Sequence, residues 1–164
     1  MRAKRLSRLA TSTVLVSAAM IAAAQPASAA EVELDAGVGC EFRLGLDGGA
    51  PPPERREFTD RNGNDITVLA GKSGALTWTN LDNHESISFA SRGTRLKVTT
   101  TSPTSQILEY SGHVGLVLFP SDDPPGPSTT QIAGRLVLQF NPTNGDTVVL
   151  KQEGQQIDVC AALS

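Results

Sequence analysis

Histidine occurs twice, cysteine twice, and tryptophan and tyrosine once each. These shortages remove several kinds of site at once. His84 and His113 stand far apart with no cysteine close to either, so no clustered zinc ligand set exists. The strand-to-helix elbow G-x-S-x-G of serine hydrolases is absent, and Gly71-Lys72-Ser73-Gly74 falls one residue short of it. The same stretch lacks the earlier glycine of a phosphate-cradling loop, because Ile66 occupies that position. Aromatic residues make up only 4% of the chain, too few for an exposed sugar-stacking platform. Trp78 alternates with Leu76, which reads as core.

Long apolar runs are also scarce. The one extended run, TVLVSAAMIAAA, follows Arg2, Lys4, Arg5 and Arg8 and precedes Ala27-Ser28-Ala29, the pattern of a secretory signal peptide. Residues 1–29 are expected to be removed, with cleavage after Ala29 or, as the next choice, Ala30. A twin-arginine pair is missing, so the general export route is expected. No other stretch nears the roughly 20 residues that cross a bilayer. The mature chain, residues 30–164, is therefore expected to be one secreted, extracellular domain without a membrane span, long enough to bury a core.

Positive charge is thin beyond the signal. Ten basic against 17 acidic residues leave a formal net charge of −7. Nucleic acid and anionic membrane surfaces need a basic footprint, so neither is an expected partner. An extracellular protein or a cell-envelope component remains.

Cys40 and Cys160 are expected to form one disulfide in an oxidising compartment, tying the two ends of the domain together. A rival reading of Gly37-Val38-Gly39-Cys40 as a lipidation site lacks the usual leucine and lies well past the apolar run.

Period-two alternation fills the rest. Phe42, Leu44 and Leu46 share a face, as do Ile66, Val68 and Ala70, then Leu76 and Trp78, Ile87 and Phe89, Leu96 and Val98, and Leu136, Leu138 and Phe140. SQILEYSGHVGLVLF suits two strands or one bent strand, with Gly112 and Gly115 marking a bulge. No helical periodicity is sustained. The expected fold is all-β, an antiparallel sandwich or barrel of about eight to ten strands. The cysteine spacing, the distant Trp78 and Asp158 in place of a tyrosine argue against an immunoglobulin domain.

Two segments read as loops: GLDGGAPPPERR, with Pro51-Pro52-Pro53, and FPSDDPPGPSTT. Ser121, Asp122, Asp123, Pro124 and Pro125 form the candidate interaction loop, because a stiff proline frame loses little entropy on docking. Asp122-Asp123 offers paired carboxylates, although sequence neighbours do not fix the separation that glycosidase chemistry needs. TDRNGND brings calcium-type oxygen ligands to mind, with Asp60, Asn62 and Asn64 at loop positions 1, 3 and 5. Asp65 and Gly71 then stand where glycine and glutamate are required, and the flanks read as strands. Asn62-Gly63 and Asn144-Gly145 are instead expected as hairpin turns, since both residues tolerate positive φ.

Taken together, REFTDRNGN, LTWTNL, VLFPSDDPPGPSTT, GRLVLQF and DVCAALS resemble a group of small secreted actinobacterial proteins with no known activity. That resemblance implies export and one β domain, and it carries over no site residues. No residue is assigned as catalytic, cofactor-binding or metal-ligating. The expected function is a non-enzymatic extracellular binding or envelope-associated module; the alternative is a hydrolase-type enzyme using His84 or His113 with a carboxylate.

Overall fold

The computed structural model describes residues 32–48, 54–72, 75–90 and 93–164; the signal segment 1–29, the prolines at 51–53 and Ser73 lie outside them. Two antiparallel sheets account for ten strands among these residues. The smaller sheet has the order β1 (Val32–Leu34), β2 (Leu44–Asp47), β5 (Leu76–Asn80), β6 (Ser86–Phe89). The larger runs β10 (Thr147–Asp158), β9 (Ser128–Phe140), β8 (Ser105–Leu118), β7 (Thr94–Ser102), β4 (Asp65–Gly71), β3 (Glu54–Thr59). One helical turn, α1 (Val159–Ala162), follows β10, and the Asp158 side chain caps it by accepting from the Ala161 N–H.

The small sheet obeys its alternation. Val32, Leu46, Trp78 and Ile87 lie opposite one another across all four strands, while the other face carries Thr77 and Ser88, whose hydroxyls meet at 2.8 Å. The apolar face covers one half of the large sheet. Trp78 is buried there, its Nε1 donates to Gln131 Oε1 at 3.2 Å, and its ring lies over Gly115, the residue directly opposite Gln131. A β-carbon on Gly115 would sit 2.5 Å from the indole, so this close approach requires glycine. Leu44, Val159, Leu163 and the disulfide between Cys40 and Cys160 complete that core.

The large sheet is creased. Gly71, Thr94, Gly112, Gly134 and Gly154 stand in one row across five strands. Gly112 and Gly154 take φ of 111° and 107°, and β-carbons on Gly112, Gly134 and Gly154 would lie 2.4, 2.1 and 2.3 Å from neighbouring carbonyl oxygens. A side chain at any of them would force strands apart. The amount of bending follows from chain reach. Leu118 and Gln106 stand twelve residues apart on β8, about 40 Å if the strand were straight. Yet Asp122, four residues past Leu118 and within about 14 Å of chain, touches Thr147, whose partner Phe140 lies opposite Gln106. The hairpin is therefore folded back on itself, enclosing Leu108, Tyr110, Leu116, Leu118, Ile132, Leu136 and Leu138 as a second core.

Asp122 closes the fold. It is only 6% exposed; one carboxylate oxygen accepts from the Phe119 N–H and the other from the Thr147 N–H, each at 2.7 Å. Asp123 adds a short parallel bridge to Val148 through its N–H to Thr147 O (2.9 Å) and its C=O from the Val149 N–H (2.7 Å).

Two carboxylates hold turns. In the β3–β4 hairpin Asp60 Oδ1 accepts from the N–H groups of Asn62 and Asn64, and Oδ2 from the Asn64 amide. Only Gly63 takes positive φ there, as only Gly145 does in the β9–β10 hairpin; Asn62 and Asn144 do not. Both expected hairpin turns are present, as loops longer than two residues in which the side-chain oxygens of Asp60 and Asn141 replace part of the backbone pairing. In the β5–β6 turn Asp82 accepts from the backbone N–H of Arg43 and from its Nε at 2.8 Å. Beside it, Asn80 is buried and ties the turn to the chain end by donating to Leu163 O at 2.9 Å.

Ile66, Val68 and Ala70 share a face as their spacing requires. It is the outward side of the large sheet, where only Ile66 is buried, because pairing with β7 sets Leu69 opposite Leu96 on the enclosed side.

Three outcomes are expected. Reduction of the disulfide, read in urea melts with and without reductant, lowers stability by at most about 5 kcal/mol, the loop-entropy ceiling for its 120-residue separation. Gly115→Val costs about 1–3 kcal/mol through overpacking and alters the emission of the single tryptophan, Trp78. Hydrogen bonds from Asn64 to Asp60 and from Arg43 to Asp82 hold both carboxyls below their ordinary range. Their contribution is present above an unfolded carboxyl pKa of about 4 and is lost as pH falls through the lower folded values. The urea midpoint should therefore fall below about pH 4, less steeply in Asp60→Asn and Asp82→Asn.

Candidate functional site

Each residue singled out from the sequence has a definite place. In TDRNGND both Asp60 oxygens are taken by N–H donors of its own turn, and Asp65 accepts from the Thr59 hydroxyl at 3.2 Å. The carboxylates face donors of the loop and do not converge on a shared centre. Among the described residues no group of three or more His, Cys, Asp or Glu side chains is placed to hold a metal ion. Gly71 ends β4, and Lys72 follows it.

The two histidines are not brought together. His84 occupies the exposed β5–β6 turn at φ 66°, with its N–H on Asn80 O, and shares that turn with Asp82, whose carboxylate Arg43 already engages. His113 lies in β8, opposite Ala133, and its carbonyl accepts from the Thr94 hydroxyl at 2.6 Å. Neither lines any of three clefts on the large sheet, two beside Arg95 and one beside Asp65.

The proline-rich loop divides. Asp122 points inward and is consumed by the closure, whereas Ser121, Asp123, Pro124 and Pro125 are exposed. The adjacent carboxylates of Asp122 and Asp123 therefore do not act as a pair. Asp123-Pro124 and Gly126-Pro127 are cis peptide bonds.

The feature that sequence reasoning missed is the outer face of the creased sheet, in the half that the small sheet leaves uncovered. Directly opposed residues share a face, so the pairing defines rows across it. One row reads Glu54, Ala70, Arg95, Ser111, Arg135, Glu153 from β3 to β10. The next reads Arg56, Val68, Lys97, Glu109, Val137, Lys151. Beyond it, Phe58 stands opposite Ile66, which is buried, while Phe58 itself is 55% exposed.

Two shallow clefts cross this face and meet at Arg95. One, of about 380 Å³, is lined by Glu54, Arg56, Phe58, Val68, Ala70 and Arg95. The other, of about 240 Å³, is lined by Arg95, Lys97, Glu109, Ser111 and Arg135 among others. Glu109 lies between Lys97 (3.2 Å) and Arg135 (3.3 Å), and the hydrogen bond from Lys97 leads the effects that hold its carboxyl below the ordinary range. Lys151 pairs with Glu153 at 2.9 Å. Arg56 and Arg95 form no ion pair among the described residues. Tyr110 points to the enclosed side, where burial pushes its hydroxyl above the ordinary value.

The signal for this face was present as polar residues alternating with the core positions of RLKV, ILEY and GRLV. Recognising them as one surface required knowing that β4 is followed in space by β7.

Among the described residues no helix is long and apolar enough to cross a membrane. Compared with family models, curated proteins and solved structures, the chain matches none of them.

Proposed function

We propose that the mature chain is a non-enzymatic extracellular binding module that engages an envelope or extracellular partner through the outer face of its large sheet. One observation carries this reading: Arg56 and Arg95, free of ion pairs among the described residues, border one cleft beside the exposed Phe58. Guanidinium groups left without counter-charges on a folded sheet are ready-made partners for a ligand carboxylate or phosphate. Their strands are paired on both sides or hairpin-bound, so the cleft is held by regular structure and needs little ordering on binding.

The hydrolase alternative receives no comparable support. His84 and His113 lie on different elements and outside these clefts, and a general base must stand within reach of the group it deprotonates.

Immobilised wild-type protein should retain a specific component from an envelope extract of the producing organism, and the Arg56→Ala/Arg95→Ala variant should lose most of it with an unchanged urea midpoint. Equal retention by both proteins would move the binding surface elsewhere, with the exposed residues of the 121–125 loop the next to be substituted.

A further inference from the structure

We infer that this outer face binds an extended acidic segment of a protein partner, its carboxylates received by Arg56 and Arg95 and its apolar side chains laid over Phe58, Val68 and Ala70. The inference rests on the binding reading above and specifies the ligand.

Charge complementarity is the first ground. Beyond residue 30 the chain carries ten basic and 17 acidic residues, yet the two charged rows hold Arg56, Arg95, Lys97, Arg135 and Lys151 against Glu54, Glu109 and Glu153. The face is thus a net positive patch of two charges on an acidic protein. Lys97, Arg135 and Lys151 are already engaged by carboxylates of their own sheet, which leaves Arg56 and Arg95 as the available cations.

Spacing is the second. Arg56 on β3 and Arg95 on β7 are separated by β4 and offset by two residues, Arg56 standing opposite Val68 and Arg95 opposite Ala70, so their backbones lie about 12 Å apart. An extended peptide in the polyproline II form has three residues per turn and rises about 3.1 Å per residue, so acidic side chains three positions apart leave one side about 9 Å apart, an interval the long arginine side chains can meet. The surface between the two arginines is apolar, with Val68 and Ala70 below and Phe58 at the rim. A ligand that sets apolar residues between carboxylates three positions apart fits this order, and Arg offers each carboxylate a planar two-pronged donor.

The same observations disfavour other polyanions. Nucleic acid draws its affinity from many phosphate contacts, and the two cations of this face that are outside ion pairs supply few. Stacked bases or sugar rings need a run of aromatic faces, and Phe58 is the one aromatic side chain lining these clefts whose ring is exposed.

The test uses the full mature chain and a fluorescent peptide with glutamate at every third position and leucine between, followed by anisotropy at low and moderate salt. Saturable binding is expected, weakened several-fold by added salt. Arg56→Ala/Arg95→Ala should reduce affinity at least about tenfold, and the glutamine version of the peptide should not bind. Arg56→Glu/Arg95→Glu should instead accept the lysine version, a reversal that general loss of structure would not produce.

Failure of the wild type to bind, or equal affinity in the alanine variant, overturns the inference. So does tighter binding of polygalacturonate or single-stranded DNA to the same two arginines. If envelope retention still depends on Arg56 and Arg95 while the peptide does not bind, the ligand class is wrong and the binding face stands. If retention is also indifferent to them, the face itself is wrong.

Discussion

The structure depends on how closely the backbone approaches itself at Gly112, Gly134 and Gly154, where β8 meets Gly93 just before β7 and β9 meets β10. Each β-carbon would collide with a carbonyl oxygen of the neighbouring backbone, so the crease exists only where side chains are missing. Without it, the ends of the long hairpin would stand tens of ångströms apart, and Asp122 could not reach Thr147. Folding the sheet onto its Leu-rich face converts one surface into an enclosed core, and Asp122 seals it by satisfying two backbone donors at the seam.

From that folding follows an unequal division of surfaces. One half of the large sheet has both sides covered, by the small sheet under Trp78 and by the other half of itself. The second half has only its inner side covered. Its outer rows are polar because they meet water, and their charges are mostly matched within the sheet through Glu109 and the Lys151–Glu153 pair. Such exposed pairs add little stability. Their consequence is local: among the described residues they leave Arg56 and Arg95, with Glu54 at the same cleft, as the charges outside any ion pair beside an apolar strip.

Much of the architecture was legible as alternation. Leu136, Leu138 and Phe140 face inward as their spacing required, SQILEYSGHVGLVL is one strand bent at Gly112, and Cys40 pairs with Cys160. Ile66, Val68 and Ala70 do share a side, but period two does not say which side is covered. Only the neighbour relation of β4 with β7, set after the β5–β6 hairpin departs to the other sheet, decides that Leu69 faces in. Asp122 looked like a recognition residue because an acidic, proline-rich stretch usually faces solvent; its long-range partners Phe119 and Thr147 were invisible to local reading. The arginine-lined face was hidden for the same reason, being assembled from strands whose order sequence does not state.

The disulfide joins the segment between β1 and β2 to the turn of helix after β10, with 120 positions between its halves. During synthesis the thiol of Cys40 must therefore wait until every strand of both sheets has been made before its partner exists. The covalent bond thus cannot take part in any collapse that begins while the chain is still being made. Whatever forms in that interval is held by strand contacts alone, many of them distant in sequence and of the slow class of search.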